Sequence, residues 1–177
     1  KIRENHLLYL SQTDLLTGIY NRGHGEKAIS DLIDNKQLGM FILFDVDKFK
    51  LVNDRYGHNT GDEVLIKVAE ALTKVVSSGD IAMRLGGDEF AVYAKELLDE
   101  NVCKKCMEKL FDKINALEFE GYEKLKPTLS VGVAFYEGKK ECTYSRLYQQ
   151  ADSVMYMSKN NGGNCFTIFR KIKTLFS

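Results

Sequence analysis

The chain has 177 residues, of which 44% are apolar and 28% charged, and these values are typical of one soluble globular domain rather than a disordered chain. Lys plus Arg and Asp plus Glu number 25 each, so the basic excess of sequence-independent nucleic-acid binders is missing. No apolar stretch approaches the length of a bilayer span, and no signal peptide opens the sequence. We therefore expect a cytoplasmic domain that contacts neither nucleic acid nor membrane.

The first twelve residues have the spacing of a helix that continues from upstream. Apolar residues alternate with polar ones there, and the chain begins with Lys1 rather than Met. We expect residues 1–12 to be the end of a signalling helix and residues 13–177 to form one catalytic domain. A sensor domain would precede it in a longer protein, whether or not that protein is anchored in a membrane.

Hydrophobic periodicity and turn residues divide the remainder into alternating helices and strands. Helices are predicted near 25–35, 49–56, 61–76, 99–117 and 145–159, and strands near 40–46, 81–85, 90–94, 128–135 and 165–169. Two glycines between the second and third strands indicate a β-hairpin. This order predicts an α+β fold of the split βαβ type, with a mostly antiparallel central sheet of about five strands flanked by helices.

Cys103 and Cys106 have a spacing that also occurs in zinc and redox sites. Both lie on the apolar stripe of the helix predicted near 99–117, and no second pair at ligand spacing accompanies them. We favour reduced core cysteines over a zinc or redox site.

Four carboxylates lie at predicted strand ends. Asp45 and Asp47 end the first strand, and Asp88 and Glu89 lie at the hairpin tip. If the hairpin pairs beside that strand, Asp45 and Asp88 converge, and their mutual repulsion calls for a hard divalent cation. Magnesium is the natural candidate, with manganese as an alternative. Solvated turn carboxylates are the simpler reading, whereas an EF-hand is excluded because Lys50 stands where its loop requires Gly.

Five segments in chain order resemble the GGDEF family of bacterial diguanylate cyclases. They are residues 14–22 (DLLTGIYNR), 44–50 (FDVDKFK), 53–62 (NDRYGHNTGD), 84–90 (RLGGDEF) and 151–164 (ADSVMYMSKNNGGN). The resemblance implies a ferredoxin-like fold, similar to the polymerase palm and to class III adenylyl cyclases. It also implies a homodimer with one GTP per subunit, which condenses two GTP into cyclic di-GMP and two pyrophosphates.

The resemblance further implies a role for each matching residue. The metal ligands would be Asp45, the carbonyl of Val46, Asp88 and Glu89. The catalytic residues would be Asp88, Glu89 and Lys50. The guanine would be recognised by Asn53, Asp62 and the neighbouring His58. The phosphates would be held by Lys50, the backbone around Lys48 and Phe49, and Lys159.

The sequence departs from the family pattern at two places. The product-inhibition motif Arg-x-x-Asp of many relatives is replaced by residues 77–80 (SSGD), so Ser77 stands where an Arg would fork onto a phosphate. We therefore predict no product inhibition through this site. Gly163 stands where many relatives use an Arg to hold the triphosphate, which predicts weaker GTP binding unless another cation compensates.

Two other functions compete with an active cyclase. A catalytically weak or degenerate domain would bind GTP or a partner and signal by contact, but the intact Asp45, Asp88 and Glu89 count against it. A metal-dependent transferase that uses residues 45–47 as a nucleotide-sugar site would leave the other motifs unexplained.

Overall fold

A computed structural model describes residues 11–77 and 79–170 of the chain. The elements in chain order are β1 (Tyr20–Asn21), α1 (Arg22–Asp34), β2 (Gly39–Val46), α2 (Phe49–Tyr56), α3 (His58–Thr73), β3 (Ile81–Gly86), β4 (Glu89–Lys95), α4 (Glu100–Asn115), β5 (Leu129–Tyr136), α5 (Tyr144–Asn160) and β6 (Cys165–Ile168). Residues 11 and 12 are helical. The rest of the helix predicted over residues 1–12 lies outside the described residues.

The strands form one sheet in the order β1-β3-β4-β2-β5-β6. β2 is central and antiparallel to both β4 and β5, while β1 pairs with β3 and β6 with β5 in parallel. The predicted α+β class with a mostly antiparallel sheet is confirmed. The expected count of about five strands was one too low, because β1 has only two residues and is too short to show a strand periodicity.

Each face of the sheet is covered by helices. Side chains alternate along β2, so that Ile42 and Phe44 join the core beneath α3 and α4, while Phe41 and Leu43 join the core beneath α1 and α5. All eight residues of β2 are buried. Burial on both faces explains why this strand is a continuous apolar run rather than an alternating pattern.

Helix α1 begins at Arg22, three residues before the predicted start. Asn21 caps it, because its side-chain oxygen accepts a hydrogen bond from the backbone N–H of His24 at 3.0 Å. Gly25, the first residue of the predicted helix, lies inside the observed one, where a Cβ would overlap the side chain of Met83. This glycine therefore allows α1 to approach β3 closely.

The two cysteines of α4 pack in or against the core. None of the four cysteines forms a disulfide, Cys106 is half-buried, and Cys103 is fully buried, where burial raises the pKa of its thiol to about 12. A thiol that stays protonated is a poor nucleophile and metal ligand. Across residues 11–77 and 79–170, no helix combines the length and apolar character needed to cross a membrane.

Candidate active site

The ends of β2 and β4 bring the predicted acidic residues together. In the antiparallel register Asp45 lies directly opposite Glu89, and the backbone N–H of Val46 donates to the carbonyl of Asp88 at 3.2 Å. Residues directly opposite in an antiparallel pair have side chains on the same face of the sheet. The hairpin tip therefore lies beside the end of β2, as predicted, but the residue directly opposite Asp45 is Glu89 rather than Asp88.

Arg84 links the backbone of the hairpin tip to Asp14. Its Nε and one terminal nitrogen donate to the carbonyl of Gly87 at 3.0 and 2.7 Å, and its other terminal nitrogen reaches both oxygens of Asp14 at 3.1 and 3.2 Å. Gly86 and Gly87 have φ angles of +143° and +54°, which favour glycine in this turn. The sequence motifs contained Arg84 and Asp14, but their contact across 70 residues became visible only in the structure.

Asp14 is itself fixed by local hydrogen bonds. Burial alone would raise the pKa of its carboxyl, but hydrogen bonds from the backbone N–H and hydroxyl of Thr17, together with Arg84, lower this pKa below its usual value. The carboxylate therefore stays charged and orients Arg84 toward the carbonyl of Gly87.

The electrostatics at the end of β2 are those of crowded carboxylates beside one cation. Burial raises the pKa of Asp45, and repulsion from Asp88 adds to the rise. The pKa of Glu89 is raised by burial and by the charge of Asp45. Lys159 Nζ lies 2.8 Å from Asp45 Oδ2. Burial lowers the pKa of Lys159, but the hydrogen bond to Asp45 and the surrounding acids outweigh this and raise it.

The donor set fits a magnesium ion that is completed by substrate. Within the described residues no three Asp, Glu, His or Cys side chains form a metal-binding group, so the acids do not enclose an ion by themselves. Mg²⁺ is usually held by one or two carboxylates, waters and phosphate oxygens rather than by a cage of protein ligands. The charge repulsion on Asp45 and Glu89 is the kind that a bound cation relieves.

Asp47 does not join this cluster but organises the neighbouring loop. Its Oδ2 accepts from the Thr128 hydroxyl at 2.7 Å and from the backbone N–H of Asn164 at 2.9 Å, and its Oδ1 accepts from the Ser130 hydroxyl at 2.5 Å. Gly163 has a φ of +75°, and a Cβ there would lie 2.5 Å from Asp47 Oδ2. A side chain at position 163 would therefore be strained and would displace the Asp47 carboxylate, so this loop favours Gly over the Arg of many relatives.

The backbone after β2 has a conformation that suits the predicted phosphate binding. Lys48 adopts a left-handed conformation, with φ of 54°, and its side chain does not cap α2. The N–H groups of Phe49 and Lys50 are in the first turn of α2, where no carbonyl within the helix is available to them. Such N–H groups, with the positive end of the helix dipole, favour phosphate oxygens.

The residues predicted to contact guanine come from two adjoining helices. Asn53 lies on α2 and packs against Gly61 of α3, where a Cβ would overlap its side-chain oxygen. His58 opens α3, and Asp62 follows Gly61; both are exposed. The structure thus brings Asn53 next to the backbone beside Asp62, with both side chains near one helix junction.

Residues 77–80, which replace the product-inhibition motif, form hydrogen bonds within the domain. Asp80 accepts hydrogen bonds from the backbone N–H of Ser77 at 2.7 Å and from that of Lys95 at 2.9 Å. Its carboxylate therefore closes a turn before β3. The absence of product inhibition stays a prediction.

Known proteins resemble this chain in sequence and in fold. Residues 11–165 match the sequence profile of the family described as "Diguanylate cyclase, GGDEF domain". The chain belongs to the GGDEF domain family. This GGDEF chain is 34% identical over 171 residues, 96% of its length, to the uncharacterized protein YtrP of Bacillus subtilis. It is 38% identical over 125 residues, 70% of its length, to the diguanylate cyclase DosC of Escherichia coli. It spans 28% and 26% of the lengths of these two proteins.

A solved GGDEF structure extends the likeness to three dimensions. The coiled coil and GGDEF domain of DgcB from Caulobacter crescentus, in complex with c-di-GMP, aligns with a TM-score of 0.82 and 26% sequence identity. The alignment covers 94% of this chain and 91% of that chain. The GGDEF fold predicted from the motifs is thus confirmed over nearly the whole chain.

Proposed function

We propose that this chain is the catalytic domain of a diguanylate cyclase, which condenses two GTP molecules into cyclic di-GMP and two pyrophosphates. The observation that carries the proposal is the pairing of Asp45 with Glu89 across β2 and β4, beside Lys159 and within a GGDEF domain. Its enzymatic relative DosC supports the reaction class.

The metal proposed for this site is Mg²⁺, with Mn²⁺ as an alternative, held by Asp45, the carbonyl of Val46, Asp88 and Glu89. Bound there, it would neutralise charge on the α-phosphate and acidify the attacking 3′-hydroxyl. Lys159 is held in the structure by its ion pair with Asp45 at 2.8 Å, and a cation that neutralised Asp45 would leave the Lys159 ammonium group available to the phosphates.

The remaining residues bind and orient the nucleotide. The N–H groups at the start of α2, around Lys48 and Phe49, hold phosphate oxygens, with Lys50 as the neighbouring catalytic cation. Asn53, His58 and Asp62 contact the base. The Asp62 carboxylate accepts hydrogen bonds from the N1 and N2 donors of guanine, which adenine does not present together. GTP is therefore preferred over ATP.

Each subunit holds one GTP, so the complete reaction needs two subunits in a two-fold symmetric dimer. Each 3′-hydroxyl then attacks the α-phosphate held by the partner, and pyrophosphate leaves. We expect the domain to act in the cytoplasm under the control of an upstream sensor domain.

The test is turnover of GTP with Mg²⁺ by the purified 177-residue chain, followed by chromatography of the products. Cyclic di-GMP and pyrophosphate should form with the unchanged chain and with Asp112→Asn, which alters an exposed carboxylate on α4, but not with Asp88→Asn. GTP binding without product at any protein concentration would instead support the binding-only alternative.

The dimer is tested by the same assay across protein concentration. The rate per subunit should rise as dimers form, because each product needs two half-sites. A rate per subunit that stays flat through the monomer-to-dimer transition would contradict the two-half-site mechanism.

A further inference from the structure

A cavity lined by several cations lies beside the loop that follows β2. It has a volume of about 310 Å³ and is bordered by α2, by the segment before β5 and by the loop that follows α5. Its charged lining residues are Lys48, Arg55, Lys126 and Asp47. A water molecule occupies about 30 Å³ of liquid volume, so the cavity has room for a diphosphate group with its hydration.

The three cations that line this cavity lack acidic partners. Within residues 11–77 and 79–170, none of the three is in an ion pair. Asp47 is the one acid in the lining, and its two oxygens already accept the three hydrogen bonds from Thr128, Ser130 and Asn164. The lining of this cavity thus has three cations and one acid that is already hydrogen-bonded, which suits an anion.

Two of these cations are held in place by neighbouring groups. Lys126 Nζ donates to the carbonyl of Leu117 at 2.9 Å, which leaves its other two N–H donors for a ligand. The guanidinium of Arg55 lies 5.4 Å from the centre of the Tyr56 ring, and that ring also lines the cavity. Both side chains thus have a restraint that lowers the cost of ordering them around a phosphate.

The cavity continues from the proposed phosphate site. Lys48 belongs to both, because it precedes the first turn of α2 and also lines the cavity. Gly162 lines the cavity on the other side, next to Gly163, the position at which many relatives carry Arg. The proposed phosphate site and the cavity therefore adjoin at Lys48.

We propose that this cavity binds the terminal phosphates of the nucleotide, with Arg55 and Lys126 supplying the positive charge that Gly163 does not provide. This inference rests on the proposed function and deepens it. The same site would bind free pyrophosphate, which is the leaving group of the proposed reaction.

The experiment measures binding of inorganic pyrophosphate and of GMP to the 177-residue chain by calorimetry. Arg55→Gln and Lys126→Gln should each weaken pyrophosphate binding by roughly tenfold, because each removes a charge-assisted hydrogen bond. GMP binding should not change, since GMP lacks the terminal phosphates. Lys124→Gln is the matched control, because it removes an exposed lysine two residues away that does not line the cavity.

The outcomes separate this inference from the proposed function. Pyrophosphate binding that both variants leave unchanged, or that is undetectable in the unchanged chain, would overturn the inference even if cyclic di-GMP is formed. If the unchanged chain forms no product yet Arg55→Gln and Lys126→Gln weaken pyrophosphate binding, the cyclase assignment fails while the anion cavity stands. Where turnover is observed, the two variants should also raise the KM for GTP with little change in kcat.

Discussion

The two ends of the proposed nucleotide site are built differently. At the metal end, Asp45 and Glu89 are fixed by the register of two adjacent strands, and Lys159 already pairs with Asp45. At the phosphate end, the loop after α5 and the exposed cations Arg55 and Lys126 surround an open cavity. The first region depends on backbone pairing and the second on side-chain charge. Substitutions should therefore stop chemistry at one end and alter loop stability or affinity at the other.

The largest expected effect is at the metal end. Asp45→Asn should reduce cyclic di-GMP formation by about 10³-fold, because it removes a carboxylate proposed to hold the metal beside the reacting phosphate. The thermal midpoint should change little, because the loss of the ion pair with Lys159 is offset by the removal of a partly buried charge and of its repulsion from Asp88 and Glu89. Initial rates and calorimetric melting of the two proteins give both values. If the variant turns over GTP within tenfold of the unchanged chain, Asp45 does not hold a metal that the reaction needs.

The contrast between the two ends also explains what the sequence could predict. The apolar run of β2 and the two glycines of the hairpin predict two strand ends that carry acids, and Asp45 is expected near Asp88 if the hairpin pairs beside β2. The structure supplies that pairing and sets the register, which places Glu89 opposite Asp45. The sequence contains no comparable rule for the contacts of Asp47, because its partners Thr128 and Ser130 lie more than 80 residues away. Long-range side-chain contacts of this kind become visible only in the folded chain.

Local pattern also failed where an element was very short or a helix contained glycine. The two residues of β1 carry no periodicity, and the helix predicted from residue 25 begins at Arg22, so that Gly25 lies against Met83 within it. The motif at Arg84 and Asp14 identified both residues but not the ion pair that they form. The resemblance thus located residues, while the structure shows how they are held.

At the phosphate end, Gly163→Ala should lower the free energy of unfolding by about 2–4 kcal/mol. A left-handed φ costs an alanine about 1 kcal/mol, and the contact of its Cβ with Asp47 adds about 1–3 kcal/mol of overpacking. Gly121→Ala is the matched control, because Gly121 has a φ of +77°, close to the +75° of Gly163, with no neighbouring atom within 4 Å of its Cβ. Urea unfolding measures both. Equal losses would show that Asp47 does not restrict position 163.

A somewhat smaller loss is expected when one donor to Asp47 is removed. Ser130→Ala should lower the free energy of unfolding by about 1.5–3 kcal/mol, because Ser130 is fully buried and its hydroxyl donates to a carboxylate. Ser153→Ala, which removes an exposed hydroxyl of α5 that bonds the carbonyl of Gln150, is the control and should be near neutral. If both variants unfold at the same urea concentration, the Asp47 network contributes little to the loop.

The smallest loss of stability is expected at the ion pair between Asp14 and Arg84, and this loss should depend on pH. Asp14→Asn should lower the free energy of unfolding by about 1 kcal/mol at neutral pH, since it weakens a partly exposed ion pair with Arg84 but keeps an acceptor for Thr17.

The pKa of Asp14 is lower in the folded chain than its ordinary value of 3.8, so the unfolded chain binds more protons between these two values. The stabilisation is therefore complete above the ordinary pKa and is lost as the pH falls through the folded one. Urea unfolding across this acidic range should show the two proteins converging in stability. A difference that stays constant to the lowest pH would mean that the contribution of Asp14 is not carried by its charge.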